Sequence, residues 1–303
     1  MRGTFRGIRW IAAKLALLAG LAGLILDLTV RDSHPRLAPF FYALPLPVSG
    51  GFLLIAAMLA GGRRRRRVIG CVALLALGWW FFTSYGWAWP HSGKWKAITW
   101  NMGHPKHPFQ PFVALVRAER PDVMVLVESG RIGPAEAAAY ERMLPGYRMV
   151  AAPNELSCLV RGEIRGASAL ALCDGGDMVH FRVKLGGREL NVFATDIEAE
   201  PFIPRKRQLD LLATMTRDRA HTIVMGDFNT PMESADLDGM RADFANAMDG
   251  PHRGFRETWF YCLPLLSLDQ VWLSPDLEPL FVARRLTFAS DHVPVVVTFQ
   301  ERR

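Results

Sequence analysis

Cysteine is scarce in this sequence, with four residues in 303. Cys71 lies in a long apolar stretch, whereas Cys158, Cys173 and Cys262 lie in the more polar C-terminal part. An odd number of three argues against the paired cysteines that stabilise many small secreted domains. Cys158 and Cys173 flank a predicted hairpin and could form a disulfide, but we expect buried free thiols.

Long apolar runs are absent after residue 92, and internal repeats and low-complexity tracts are absent throughout. Beyond residue 92 the apolar residues come in short runs separated by polar and turn residues, which is typical of a soluble α/β domain. We therefore predict a membrane anchor over residues 1–92 and a soluble domain over residues 93–303.

The predicted soluble domain also lacks an excess of positive charge. The whole chain carries a net charge of +7, but residues 1–92 hold 11 Lys and Arg against two Asp and Glu, and residues 93–303 hold 25 against 27. Proteins that bind nucleic acids generally carry a basic surface. The domain therefore does not have the composition of a general nucleic-acid binder.

The N-terminal part contains three long apolar stretches, over residues 10–30, 37–62 and 68–92. A helix of about 20 mainly apolar residues can cross the hydrocarbon core of a bilayer. The first stretch could instead be a secretory signal peptide, but its apolar part is too long, no cleavage site stands out, and two further stretches follow. We predict three transmembrane helices, with Lys14 and Asp27 near the ends of the first.

Arginine residues predict the orientation of these helices. Three arginines precede the first stretch and five fill residues 63–67, whereas the loop after the first stretch has Arg31 and Arg36, offset in part by Asp32. The positive-inside rule puts the N-terminus and the five-arginine run in the cytoplasm. Such a run can also mark a nucleic-acid patch, but its position between two apolar stretches favours a topology signal. We predict a multi-pass protein of the inner cell membrane with an extracytoplasmic domain.

The soluble domain is predicted to have more strands than helices. Hairpins with Gly-containing turns mix with strand–helix–strand units, which predicts an α/β sandwich with mixed β-sheets rather than a Rossmann fold. Helical spacing covers residues 109–119, 134–143 and 204–215. Strand-like runs cover residues 97–100, 122–127, 147–152, 156–160, 167–172, 179–185, 190–195, 222–225, 270–273, 281–286 and 293–299.

Seven polar residues lie at the ends of these predicted strands: Asn101, Glu128, Asp227, Asn229, Asp269, Asp291 and His292. A single Asn or Asp after a strand is usually a turn former or a helix cap, and a lone Glu there is usually solvated. The ordered series is harder to attribute to chance, because each member is tied to the end of a strand, where α/β folds place their sites.

The series resembles the motifs of the deoxyribonuclease-I-like superfamily of endonucleases, exonucleases and phosphatases. The resemblance covers roughly residues 95–300, and its most specific parts are residues 226–229 (Gly-Asp-Phe-Asn) and 290–292 (Ser-Asp-His). It implies a four-layer sandwich, in which two mixed β-sheets are flanked by helices, and a metal-dependent phosphoester hydrolase. Glu128 would be the principal metal carboxylate, with Asn101 and Asp291 close to the ion. Such hard oxygen ligands suit Mg²⁺ or Mn²⁺.

The resemblance also implies the catalytic roles. Asp227 would orient or deprotonate the attacking water, and Asn229 would position the water or hold a phosphate oxygen. His292 would donate to the phosphate oxygens, and Asp269 would fix the orientation of its ring. The reaction would be an in-line attack on phosphorus without a covalent enzyme intermediate.

One position departs from the family pattern. Many members carry a His where this sequence has Asp196, at the end of a predicted strand. An anionic side chain near a phosphate is unfavourable unless a cation lies between them. Three explanations stay open: Asp196 binds metal, the activity is altered, or Arg205 or Arg207 supplies the missing positive contact.

A finer resemblance is to membrane-anchored phosphatases related to the teicoplanin-resistance protein, which are associated with polyprenyl pyrophosphates. It rests on the three apolar stretches and on residues 256–259 (Arg-Glu-Thr-Trp). It implies a phosphorylated lipid or a small phosphate ester as substrate, at a membrane, rather than nucleic acid. An exported nuclease and a non-catalytic membrane-bound binding module are the alternatives, and the oligomeric state stays open.

Overall fold

The computed structural model describes residues 2–302, which fall into two compact units. Residues up to Tyr85, together with Glu233–Ala235, form the helical unit. Gly86–Met232 and the residues from Asp236 onward form the sandwich unit.

The helical unit contains two segments that are long and apolar enough to cross a membrane, Gly7–Val30 and Arg63–Ser84. Apolar side chains on both, such as Leu18 and Leu75, are exposed, whereas the core helix of a soluble protein would bury them. Its helices are α1 (Arg2–Ile25), continued by the π-helical turn Leu26–Val30, then α2 (Ala38–Ala43), α3 (Leu46–Leu59) and α4 (Arg63–Ser84).

The second predicted transmembrane helix is not continuous, so the prediction of three spans is not confirmed. The chain leaves α2 after Ala43 and begins α3 only at Leu46. Pro45 and Pro47 flank this start, and proline cannot continue the hydrogen bonding of a preceding helix. The 14 residues of α3 give a length of about 21 Å, which is shorter than the roughly 30 Å hydrocarbon core of a bilayer.

Small residues bring α3 close to α1 and α4. A Cβ atom placed on Gly20 of α1 would lie 2.6 Å from Leu53, and one placed on Gly50 of α3 would lie 2.6 Å from Leu77 of α4. Such close approach is how apolar helices associate when no water is available to drive their packing. Arg9 Nε donates a hydrogen bond to the Leu59 carbonyl at 3.0 Å, so α3 ends beside the beginning of α1.

The sandwich unit is built on two mixed sheets. The strands that the structure describes are β1 (Tyr85–Trp87), β2 (Trp95–Asn101), β3 (Val123–Val127), β4 (Arg148–Ala151), β5 (Ser157–Val160), β6 (Glu163–Ala171), β7 (Asp177–Leu185), β8 (Arg188–Asp196), β9 (Thr222–Asp227), β10 (Ala245–Asn246), β11 (His252–Phe255), β12 (Asp269–Leu273), β13 (Leu277–Arg284) and β14 (Val295–Glu301). The helices of this unit are α5 (Gln110–Glu119), α6 (Pro134–Met143), α7 (Lys206–Thr216) and α8 (Asp238–Asp243).

The larger sheet has the order β1-β11-β13-β14-β2-β3-β5-β4, and the smaller has the order β10-β12-β9-β8-β7-β6. Most neighbours are antiparallel, but three pairs are parallel: β2 with β3, β8 with β9, and β11 with β13. Parallel neighbours need a crossover connection, which is usually a helix. Helices α5 and α7 occupy the connections of the first two pairs, and β12 of the smaller sheet lies between β11 and β13 in the chain.

Apolar side chains on both faces of the sheets create four layers. Val123, Val125 and Val127 of β3 point into the core between the sheets, whereas Met124 and Leu126 pack with residues of α5 and α6. Residues of α7 and α8 cover the outer face of the smaller sheet in the same way. Burial on both faces explains why β3 is a continuous apolar run in the sequence. The predicted sandwich of two mixed sheets flanked by helices is confirmed for this unit.

The four cysteines are free thiols in the structure. Cys158 is buried on β5, and burial raises the pKa of its thiol. Cys173 and Cys262 are partly exposed. The prediction of free thiols is therefore confirmed, whereas the prediction that these thiols are buried is confirmed for Cys158 but not for Cys173 and Cys262.

Candidate active site

The site begins where the parallel strands β2 and β3 end. Asn101 is the last residue of β2 and lies opposite Val127, the last residue of β3. Glu128 follows directly and has a backbone φ of 47°, in the left-handed region that few non-glycine residues occupy and that occurs preferentially at functional sites. The Asn101 amide nitrogen donates to Glu128 Oε1 at 2.9 Å, which ties the two strand ends together.

Three carboxylates meet at the corresponding edge of the smaller sheet. Asp196 ends β8 opposite Asp227, which ends the parallel strand β9. Asp269 begins β12 opposite the same Asp227, because β12 runs antiparallel to β9. Gly226 permits this arrangement with a φ of 153°. A Cβ atom there would lie 1.9 Å from the carbonyl oxygen of Thr195.

A buried His–Asp pair lies beside Asp227. His292 Nδ1 is 2.7 Å from Asp269 Oδ2 and 3.7 Å from Asp227 Oδ2. Burial alone would lower the pKa of His292, but the negative charges of Asp269 and Asp227 outweigh it and raise that pKa to about 10. The ring is therefore protonated at neutral pH. Because Nδ1–H donates to Asp269, Nε2–H is the donor left for a substrate.

Asp227 is held by the neighbouring strand end and by the turn that follows it. Asn101 Nδ2 donates to Asp227 Oδ2 at 2.9 Å, and the Asn229 backbone amide donates to Asp227 Oδ1 at 2.8 Å. Burial raises the pKa of Asp227 to about 6, with His292 acting in the opposite direction. A carboxylate with a pKa near neutrality can serve as a general base.

The remaining carboxylates are crowded with like charge. Burial, together with the charges of Asp227 and Glu128, raises the pKa of Asp196 to about 8. Carboxylate oxygens that repel each other in this way bind a divalent cation, which neutralises them. Glu128 and Asp291 supply the carboxylate oxygens predicted for such an ion. The Asn101 side chain instead donates to Glu128 and Asp227, and its oxygen accepts from the Gly103 amide.

Asp227, Asp269 and His292 also offer ligand atoms that all lie within 4.8 Å of one another. This spacing would suit a metal ion as well. However, His292 Nδ1 is engaged with Asp269 at hydrogen-bonding distance, and the charges around the ring favour its protonated form, which cannot ligate a metal.

The turn that carries Asp291 is fixed against the end of β2. Ser290 Oγ donates to the Asn101 carbonyl at 2.9 Å, and the His292 backbone amide donates to Ser290 Oγ at 3.1 Å. Trp259 Nε1 donates to Asp291 Oδ2 at 3.1 Å. These contacts fix the turn that carries both Asp291 and His292, and they thereby orient the two residues.

The structure uses Arg205 and Arg207 in other contacts, so their predicted role in substrate binding stays a prediction. Arg205 is only 3% exposed, and it donates to the carbonyls of Glu198 and Ala199 at 2.9 and 2.8 Å. Arg207 is exposed and forms an ion pair with Asp174 at 3.3 Å. Arg205 therefore holds the loop that follows Asp196.

Two neighbours of the site were not among the predicted site residues, although Thr258 lies in the segment 256–259 noted in the sequence. His104 Nε2 lies 3.1 Å from Glu128 Oε2, and its Nδ1 lies 2.6 Å from Glu155 Oε2. The hydrogen bond to Glu155 raises the pKa of His104, with burial opposing it and Glu128 adding to it. Thr258 Oγ1 accepts hydrogen bonds from the amides of Leu268 and Asp269. Neither residue stands at a strand end, although His104 follows Asn101 by three positions.

Comparison with known proteins agrees with this geometry. The sequence pattern of the Endonuclease/Exonuclease/phosphatase family matches residues 98–292, which include all the residues of the site. The chain belongs to the Endonuclease/Exonuclease/phosphatase family. Members of this family are phosphoester hydrolases, so the superfamily resemblance of the sequence is confirmed. No curated protein sequence matches the chain significantly.

Solved structures of the Endonuclease/Exonuclease/phosphatase family share the fold. A family protein from Beutenbergia cavernae superposes with a TM-score of 0.54 and 18% identity, over 68% of this chain and 71% of that one. A mannosyl-6-phosphatase of Bacteroides thetaiotaomicron gives 0.53 and 14%, over 68% and 99%. TDP2 of D. rerio, in a complex with a single-stranded DNA product, gives 0.53 and 16%, over 68% and 98%. At these identities the likeness establishes the fold.

Proposed function

We propose that this chain hydrolyses a phosphate ester with the help of Mg²⁺ or Mn²⁺. The observation that carries the proposal is the buried His292–Asp269 pair, which lies beside Asp227 and a group of crowded carboxylates. A divalent cation bound there would neutralise negative charge that develops on the phosphoryl oxygens. Glu128, Asn101 and Asp291 would hold it.

The protein groups then divide the proton transfers between them. Asp227, with a pKa of about 6, accepts a proton from the attacking water. Asn229, anchored by its amide nitrogen to the Ile197 carbonyl at 2.8 Å, helps to position that water. His292 stays protonated and donates from Nε2 to a phosphate oxygen or to the departing oxygen, and Asp269 keeps the ring in place.

The protein would act as a multi-pass protein of the inner membrane, with the sandwich unit outside the cytoplasm. Two apolar helices are long enough to cross a bilayer. The hydrogen bond from Arg9 to Leu59 brings the end of α3 to the beginning of α1, so α4 starts at the same end of the helical unit as α1. The five arginines of residues 63–67 lie at that same end and favour its cytoplasmic location.

A lipid-linked phosphate or pyrophosphate is the substrate that we propose. Two loops next to Asp291 expose apolar side chains: Phe260, Tyr261 and Leu263 on one, and Leu286 and Phe288 on the other. The Tyr261 amide donates to the Asp291 carbonyl at 2.5 Å, which links the first loop to the site. Exposed apolar surface of this kind generally marks a ligand, a membrane or a protein partner, and beside a phosphate site it suits an amphiphilic substrate.

The central experiment measures phosphate release by the full chain in lipid vesicles, with and without Mg²⁺. Polyprenyl pyrophosphate, nucleotides and DNA serve as substrates, and Asp227→Asn is the inactive control. We expect metal-dependent release from the polyprenyl pyrophosphate. Full activity in excess chelator would contradict the metal-dependent mechanism. Hydrolysis of DNA or nucleotides but not of the lipid would favour the nuclease alternative.

A second experiment tests the apolar loops. Phe260→Ser and Phe288→Ser should slow hydrolysis of the polyprenyl pyrophosphate and leave a small soluble phosphate ester unaffected. Leu170→Ser is the matched control, because Leu170 is an exposed apolar residue on β6. Equal losses on both substrates would mean that the loops support the site rather than select a lipid.

A third experiment tests the orientation. A phosphatase reporter fused after the last residue should be active, whereas one fused near Arg65 should be inactive. The reverse pattern would place the sandwich unit in the cytoplasm.

A further inference from the structure

A cavity of about 490 Å³ lies at one end of the helical unit, and none of its lining residues belongs to the hydrolytic site. It is formed where α1 begins, α3 ends and α4 begins, and residues of all three helices line it. Apolar side chains such as Leu17, Ala56 and Ile69 form one part of its wall, and Arg9, Lys14 and Arg65 supply three positive charges. No acidic side chain is among its lining residues.

Two of these cations are fixed at the cavity by contacts within the helical unit. Arg9 Nε donates to the carbonyl of Leu59, whose side chain also lines the cavity. Lys14 Nζ lies 3.6 Å from the centroid of the Trp10 ring, a cation–π distance. Arg65 comes from the first turn of the neighbouring helix α4. The cavity thus combines positive charge from two helices with an apolar wall.

We infer that this cavity binds one anionic phospholipid, with the headgroup phosphate at Arg9, Lys14 and Arg65 and an acyl chain along Leu17, Ala56 and Ile69. The charge of the lining favours an anion, and the apolar wall favours one that carries a hydrocarbon chain. Basic pockets between membrane helices are suited to anionic headgroups. This inference rests on the proposed membrane anchorage, but not on the proposed hydrolysis.

The experiment measures lipid retention by the purified full chain in detergent, using native mass spectrometry. Phosphatidylglycerol and phosphatidylcholine with identical acyl chains are titrated separately. We expect the wild type to prefer phosphatidylglycerol by at least about tenfold. Arg9→Gln, Lys14→Gln and Arg65→Gln should each weaken phosphatidylglycerol binding about fivefold, because each basic residue near an anionic lipid contributes roughly 1 kcal/mol. Binding of phosphatidylcholine should not change.

Matched controls distinguish lipid binding in the cavity from attraction by the overall positive charge of the arginine run. Arg63→Gln and Arg67→Gln remove the same charge from the same run, but neither residue lines the cavity. These variants should retain wild-type lipid preference. If they lose as much affinity as Arg65→Gln, binding follows the total charge and the inference is wrong. Displacement of phosphatidylglycerol by millimolar inorganic phosphate would also overturn it, because the site would then be one for free anions.

Charge-conserving Lys14→Arg tests whether any loss reflects misfolding, and it should restore the preference that Lys14→Gln removes. The lipid measurement needs no turnover. Failure of the hydrolysis experiment would therefore not affect this inference. A wild-type chain that shows no preference between the two lipids would refute this inference without affecting the proposed hydrolysis.

Discussion

The sandwich unit carries a His–Asp pair at each end of the same two strands, and the two pairs differ sharply. At one end of β9 and β12, His292 and Asp269 are buried, with Asp227 beside them. At the other end, His221 Nδ1 lies 2.5 Å from Asp276 Oδ2, but about a third of each side chain is exposed. A close His–Asp contact alone therefore does not define a catalytic pair.

The carboxylates at the two ends titrate in opposite directions. At the second end, burial opposes ionisation, but hydrogen bonds from Ser274 and from the His221 amide lower the pKa of Asp276. Glu119 behaves in the same way, because Arg285 and Lys96 outweigh its burial. At the site, the pKa values of Asp196 and Asp227 are raised. At the site, the negative charges of Asp196 and Asp227 are not fully compensated. At the structural end, hydrogen bonds and ion pairs compensate the charges of Asp276 and Glu119.

The largest expected difference is in turnover. His292→Ala should lower kcat by roughly 10²- to 10⁴-fold with little change in KM, because the lost donor acts on the transition state. His221→Ala should leave kcat unchanged. Steady-state kinetics on the preferred substrate checks both variants, with Asp269→Asn expected to show a smaller loss than His292→Ala. An active His292→Ala protein would make both pairs structural.

The next difference is in metal binding. Glu128→Gln removes a charged oxygen donor, and we expect it to weaken Mg²⁺ or Mn²⁺ binding on the order of tenfold to a hundredfold. Glu119→Gln, at the opposite end, should bind the ion like the wild type. Isothermal titration calorimetry measures both, and circular dichroism verifies that each variant is folded. Equal affinity in the wild type and Glu128→Gln would place the ion elsewhere.

A third difference is in the pH dependence of stability without metal. The pKa of Asp196 is raised from 3.8 to about 8, so the folded state binds more protons than the unfolded state between these values and loses stability as pH rises. Asp196→Asn removes this loss. Its melting temperature in chelator should exceed that of the wild type by an amount that grows from pH 4 to about pH 8 and then stays constant.

Asp276→Asn should show the opposite sign. The pKa of Asp276 is lowered in the folded state, so the stability that its charge contributes is present above the ordinary pKa of 3.8 and is lost as pH falls. The variant should be less stable than the wild type at neutral pH and equal to it in acid. Parallel pH profiles for Asp196→Asn and Asp276→Asn would contradict the comparison of the two ends.

The smallest effect is expected for Glu119→Gln at neutral pH. Glu119 pairs with Lys96 at 3.2 Å and also with Arg285. Partly exposed ion pairs contribute about 0–1 kcal/mol each, so thermal unfolding should show a shift of a few degrees at most. A loss as large as that of a core substitution would show that these ion pairs contribute far more than partly exposed pairs usually do.

The sequence predicts the site because buried strands are visible as apolar runs, and polar residues mark where those runs stop. Residues 122–127 were predicted as a strand, and the structure has β3 at Val123–Val127 with Glu128 next to it. The helix α6 was predicted with its observed bounds, Pro134–Met143. The short strands β1, β10 and β11 were not predicted, because so few residues show little alternation. The similarly short β4 and β5 were predicted because they lie within longer apolar runs.

Residues that approach the site from loops have no such signal. His104 is brought there by its contact with Glu128, which no local pattern encodes. Thr258 belongs to the segment 256–259 that the sequence analysis singled out, but its contact with the Asp269 amide is a tertiary one. The second predicted transmembrane helix is not confirmed for another reason. Hydropathy sums count Pro45 and Pro47 as neutral members of an apolar stretch, whereas the missing amide hydrogens of proline interrupt the helix.

Gly226 acts as a spacer for the two carboxylates that end β8 and β9. Its Cα hydrogen lies so close to the carbonyl of Thr195 that no larger substituent fits there. The absence of a Cβ atom at Gly226 therefore allows β8 and β9 to lie close together at this point. Asp196 and Asp227 are each one residue farther along. Even the smallest side chain at position 226 would separate the strands at the site. Most of the core lies nearer the beginning of both strands and would keep its contacts.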